Sequence, residues 1–103
     1  MTLRVRLEKS KDAVTAVLTG SFDGDADVAH FKERLGPEFP ENKVVLEMSG
    51  IHLINSKVLS ALAWAIQRSK DLPPAKRVTI AGLSKYNRNI LDVARVSHYF
   101  KFK

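Results

Sequence analysis

The sequence contains no cysteine. That excludes a disulfide scaffold, a Cys-ligated zinc site, an iron–sulfur cluster and a cysteine nucleophile. Long apolar runs are also missing. The longest, Ala61 to Ile66, has six residues, against the roughly 20 that a membrane-spanning helix needs. The opening stretch Met1 to Arg6 holds no apolar signal core, and Thr2 stands where myristoylation requires glycine. A cytoplasmic protein is expected. Repeats, low-complexity tracts and interdomain linkers are absent, so the 103 residues are expected to make one domain, 1–103. Hydrophobic residues at 45% and charged residues at 27% suffice for one continuous core and exclude global disorder.

Acidic residues become scarce along the chain. Residues 1–51 carry seven Lys/Arg against nine Asp/Glu, a net −2; residues 52–103 carry ten against two, a net +8. Such a field suits a solvated surface, and equally an acidic partner, nucleic acid or an anionic membrane. Aromatic residues are not interleaved with the basic ones as a base-stacking platform requires, so specific nucleic-acid binding is not expected.

Hydrophobic periodicity sets the element order. Leu3, Val5 and Leu7 alternate with charged residues, which predicts a half-buried strand near an edge. Lys9 to Asp12 is a polar turn, and Ala13 to Thr19 reads as a second strand, paired as a hairpin and stopped by Gly20. Asp23, Asp25 and Asp27 mark a helix start, with Val28, Phe31 and Leu35 inward. Gly36-Pro37 ends that helix, and a loop runs through Pro40. Lys43 to Met48 reads as a central strand. Asn55 and Ser56 both favour a helix N-cap, and Leu59, Leu62, Ala63 and Ile66 follow on one face with Trp64 to the side. Pro73-Pro74 closes this helix, and Arg77 to Ala81 predicts a strand ended by Gly82. Ser84 caps a third helix with Tyr86, Ile90, Val93 and Ala94 inward, and Tyr99 to Phe102 forms a last strand. The order β-β-α-β-α-β-α-β predicts an α/β domain with a small mixed sheet packed against helices.

Most chemical motifs fail on inspection. Asp23-Gly24-Asp25-Ala26-Asp27 opens like a calcium loop, but Val28 holds the sixth position and Arg34 the twelfth, where Gly and Glu belong. His30, His52 and His98 are too scattered for a local metal motif. Gly20 and Gly24 precede no Gly-Lys-Ser/Thr, and no Gly-x-Ser-x-Gly surrounds Ser56. No acid–base pair stands out. Neither enzymatic activity nor a metal or cofactor is expected. Ser56 keeps two roles open: helix capping, or phosphoacceptor at a helix N-terminus, where a phosphate is well held and its negative charge would eject a docked partner.

Four segments together carry a resemblance: Leu18 to Asp23, Val44 to Ile51, Leu53 to Leu59, and Val78 to Ser84. In this order and spacing the sequence resembles the STAS domain family of anti-sigma-factor antagonists, over essentially the whole chain. The resemblance implies a single STAS-like domain, a small mixed sheet with helices packed against it. A further C-terminal helix present in many members is not expected in the residues up to Lys103. The family's phosphoacceptor motif reads Asp-Ser-Ser/Thr-Gly-Leu. Asn55 stands for its Asp, Ser56 for the phosphorylated Ser, Lys57 for the next Ser/Thr, Val58 for the Gly and Leu59 for the Leu.

By that resemblance, the chain is expected to be a non-enzymatic regulatory module binding an anti-sigma factor that is also a serine kinase. Ser56 would be the phosphoacceptor, and a phosphatase would reset the switch. The expected contact residues are Asn55, Ser56, Lys57, Val58 and Ser60, joined by Lys85 and Arg88 from the basic half. The alternative is a non-phosphorylated STAS scaffold subunit of a transporter or signalling complex.

Overall fold

A computed structural model describes residues 2–39 and 42–103. The loop expected through Pro40 falls partly outside them. Strands β1 (Arg4–Lys9), β2 (Ala13–Gly20), β3 (Lys43–Ile51), β4 (Thr79–Ala81) and β5 (Lys101–Phe102) form one sheet in the order β1-β2-β3-β4-β5. Helices α1 (Asp25–Leu35), α2 (Ser56–Ser69) and α3 (Lys85–Val93) connect the parallel strands.

The first two strands form the expected hairpin. Val5 lies opposite Leu18 and Leu7 opposite Ala16, so the apolar sets share one face. Ser10 N–H closes the turn on the carbonyl of Ala13 at 2.9 Å. Every later pair, β2–β3, β3–β4 and β4–β5, is parallel. Three crossovers step the same way along the sheet. With the usual right-handed connection, each lays its helix on the same face. Ala16, Leu18, Val44, Leu46, Met48 and Ile80 from the sheet accordingly form one buried cluster with Phe31, Leu35, Val58, Leu62, Ile66 and Leu91 from the helices. Burying each large side chain of this set contributes about 1.5–3 kcal/mol.

Helix α1 buries Val28, Phe31 and Leu35 as the periodicity requires. An aromatic chain continues across the seam to α2. Phe31 meets Phe22 and Trp64 edge to face, and Phe39 meets Trp64, all at 5.9 Å between centroids.

Three expectations need correction. Helix α2 buries Val58, Ala61, Leu62, Ala65, Ile66 and Ser69, whereas Leu59 is half-buried and Ala63 exposed. The true stripe therefore begins at Val58, one residue earlier than the leucines suggest, with small residues letting α2 approach the sheet. Helix α3 buries Asn87 and Leu91, not the expected apolar set. Tyr86 is 68% and Val93 74% exposed, Ala94 is exposed and Ile90 is half-buried. Finally, β4 pairs only over Thr79–Ala81 and β5 only over Lys101–Phe102. A 3-10 turn at Pro74–Lys76 uses the residues before β4, and another at Ser97–Tyr99 uses those before β5.

Candidate functional site

Strand β3 ends at Ile51 and the chain enters α2 through His52–Asn55. Such a short link exposes backbone groups that need partners. Two asparagines supply them from opposite sides. From α3, Asn87 Oδ1 accepts the N–H of Ile54 at 3.2 Å, and Asn87 Nδ2 donates to the carbonyl of His52 at 3.1 Å. The Asn87 backbone N–H is itself taken by the Ser84 hydroxyl, the cap of α3, at 3.1 Å. Asn87 is 2% exposed. It is the reason α3 turns a polar residue inward: a buried amide satisfies two loop groups at once, and the apolar stripe rotates outward as a result.

Asn55 is the second clamp. Its Oδ1 accepts the N–H of Val58 at 3.0 Å and caps α2; its Nδ2 donates to the carbonyl of Phe22 at 3.0 Å. A carboxylate could make the first bond but not the second. This gives a structural reason for asparagine at a position where the related motif has aspartate.

Capping by Asn55 leaves Ser56 as the first helical residue. Ser56 is exposed, and its hydroxyl makes no hydrogen bond to the described residues. Of its two open roles, side-chain capping is thus taken by its neighbour. Lys57 reaches across to Asp25 in the first turn of α1, with Nζ 2.5 Å from Oδ1. The Lys57 hydrogen bond and charge hold the Asp25 carboxyl below the ordinary carboxylate range. Ser60 is exposed one turn on, in a shallow hollow with Asp25, Val28, Ala29 and Lys32.

Val58 must leave the expected contact set. It is 1% exposed and belongs to the core, because it heads the inward stripe of α2. Lys85 and Arg88 lie on α3. Arg88 stacks over the Phe102 ring at 3.6 Å and pairs with Asp92 at 3.6 Å. Lys85 is exposed at the helix start. The first turn of α2 and helix α3 meet at a groove of about 370 Å³ lined by Leu59, Tyr86, Asn89, Ile90, Val93 and Ala94.

The acidic run at the start of α1 is committed to protein groups. The Asp27 carboxylate accepts N–H bonds from Asp23 (2.8 Å), Gly24 (3.2 Å) and Leu3 (3.4 Å). The Asp23 bond foremost, against the opposing effect of burial, holds the Asp27 carboxyl below its ordinary range. Among the described residues no cluster of His, Asp or Glu is arranged to hold a metal ion, and no helix is long and apolar enough to cross a membrane.

Sequence reasoning missed Asp25 as the partner of Lys57, and Asn87 as the anchor of the loop. For Asn87 there was a signal: an asparagine three residues past a capping serine, four residues before Leu91 and so on the same face of the helix.

No protein-family model matches the chain, and comparison with curated proteins finds no match. Solved structures do match it. The anti-sigma factor antagonist SpoIIAA in its unphosphorylated form superposes with a TM-score of 0.74 at 12% identity, over 97% of this chain and 88% of that one. The phosphorylated form of SpoIIAA, described as a Bacillus cell fate determinant, gives 0.71 at 12% identity over 97% and 91%. An anti-sigma factor antagonist from Mycobacterium paratuberculosis gives 0.72 at 13% identity over 98% and 85%. With a five-stranded mixed sheet, three helices and near-complete coverage on both sides, this chain has the fold of the anti-sigma factor antagonists.

Proposed function

We propose that this chain is a cytoplasmic, non-enzymatic regulatory module of transcription. It binds an anti-sigma factor/serine kinase-like protein at the start of α2, and phosphorylation of Ser56 switches that binding off. The observation that carries the reading is the state of Ser56. Its hydroxyl is exposed and uncommitted on the first residue of a 14-residue helix, on a loop held from two sides by Asn55 and Asn87. A phosphate there would add a charge of about −1.5 to −2 in the middle of the docking face, and a phosphatase would restore the free form. We assign exposed Ser60 and Lys85 to the docking face together with Asn55 and Lys57, whose side chains are held in place by Phe22 and Asp25.

Affinity capture from the native host tests it, with mass spectrometry of the captured proteins and of Ser56. A serine kinase-like partner retained by wild type and Ser56→Ala, but released from the Ser56 phosphoform, is the expected outcome. Capture of a stable membrane-transporter or signalling complex with Ser56 never modified would instead support the scaffold reading. The Lys57–Asp25 pair favours that second reading, since a lysine already sits beside the acceptor position.

A further inference from the structure

We propose that the outward face of α3, together with Leu59, is a docking groove for an acidic amphipathic helix of a protein partner. The sequence gives α3 a strong apolar stripe, and such a stripe normally faces the core of its own domain. Here Asn87 and Leu91 hold the inward position instead, so Tyr86 and Val93 lie uncovered and Ile90 is half-buried. Tyr86 and Val93 are the most exposed large hydrophobic residues among those described, at 68% and 74%, and Leu53 follows at 49%. Tyr86 and Val93, with Asn89, Ile90 and Ala94 of α3 and Leu59 of α2, line a groove between the two helices. A groove of that kind takes the ridge of a third helix.

Charge selects among occupants. Lys85 opens α3 and Arg95 follows its last turn, both exposed and without an ion pair among the described residues. The one acidic residue on the helix, Asp92, is engaged by Arg88 and by the Ser97 hydroxyl. A second copy docking face to face would set Lys85 and Arg95 against their own equivalents, which opposes self-association. A membrane surface takes an apolar face that lies flat against it, whereas the apolar groups of α3 border a groove. An acidic helix meets both the shape and the rim.

Placing the regulatory partner here rests on the reading of the α2 face proposed above, but the groove can be tested without phosphate or kinase. The probe is a synthetic helical peptide of about 18 residues, with leucines along one face and glutamates elsewhere. A matching peptide has lysines in place of the glutamates. Amide NMR spectra of the full chain are titrated with each. The glutamate peptide is expected to shift Leu53, Leu59 and residues 85–94, and to bind more weakly as salt rises. In the Tyr86→Ser/Val93→Ser double variant, binding should fall about tenfold. Both positions are exposed, and an unchanged melting temperature shows that the fold is intact. Lys85→Glu should weaken the glutamate peptide and strengthen the lysine peptide. Equal affinity for the two peptides, shifts elsewhere, or no binding overturns the proposal. So does Val93-dependent binding to phosphatidylserine vesicles in preference to the glutamate peptide, or Val93-dependent dimerisation in ultracentrifugation. If Ser56 is never modified in the host while the groove binds as described, the phosphoswitch fails and the groove stands.

Discussion

Lys57, in the first turn of α2, is ion-paired with Asp25, in the first turn of α1. The starts of two helices are thereby tied across the surface beside Ser56. Because the pair lowers the Asp25 pKa on folding, its stabilising contribution is complete above the unfolded carboxylate value of about 4. That contribution is lost as pH falls through the lower, folded value. Asp25→Asn should therefore melt slightly below wild type at neutral pH, and the two should converge in acid. Lys57 is partly and Asp25 almost fully exposed, so the gap should shrink with added salt. Carboxyl NMR titration checks the premise: Asp25 should titrate below its own value in Lys57→Ala.

Asn87 is the most consequential polar side chain of the site. Removing it in Asn87→Ala leaves a buried N–H of Ile54 and the carbonyl of His52 without partners. A loss of about 2–4 kcal/mol is expected in denaturant unfolding. Amide exchange at Ile54 should accelerate more than that at Leu46. Unchanged protection at Ile54 would show that the loop holds itself.

Val58 and Ser60 should separate cleanly. A charge at Val58 enters the core, so Val58→Asp is expected to lose about 3–5 kcal/mol. Ser60→Asp should stay within about 0.5 kcal/mol of wild type and weaken partner binding. Thermal melts beside a binding assay distinguish the two. The sequence alone put both on the expected contact face, but Val58 is buried and only Ser60 is exposed.

Rebuilding the related phosphoacceptor motif should come at a structural cost. Replacing Asn55-Ser56-Lys57-Val58 with Asp-Ser-Ser-Gly removes the Asn55 bond to Phe22, the Lys57–Asp25 pair and a buried valine. The Val58→Gly step alone should cost about 2–3 kcal/mol through lost packing and helix propensity. If Ser56 is the acceptor, a cognate kinase should still label the rebuilt chain faster than wild type, since Lys57 no longer stands beside the serine and an acidic residue precedes it. Equal rates would mean that these neighbours are neutral to the kinase. Labelling of Ser56→Ala as fast as wild type would take Ser56 out of the mechanism.

Strands β1 and β2, their hairpin and the inward set of α1 were legible because each follows one period set by one packing surface. Leu3, Val5 and Leu7 alternate, and Val28, Phe31 and Leu35 recur, with no competing demand on those positions. Helix α3 was misread because two demands conflict there. Its apolar period points at Tyr86, Ile90 and Val93, but the unpaired groups of Ile54 and His52 require Asn87 to face inward, and a nine-residue helix cannot turn both faces to the core. The pair Lys57–Asp25 was out of reach for a different reason. It joins residues 32 positions apart, and no local pattern encodes that distance. Asn55 and Ser56 were found together as helix-start residues, and only the backbone geometry decides which one caps.

Leu53 lies exposed between His52 and Ile54, both of which are fixed to Asn87. Exposure of a leucine ordinarily invites cleavage by proteases that favour large apolar residues. A protease, however, must draw several residues on each side of the bond into an extended strand. The two Asn87 hydrogen bonds forbid that unless α3 lifts away. Nicking at Leu53 would thus proceed through the opening of α3 from the body of the protein, and its rate would count those openings.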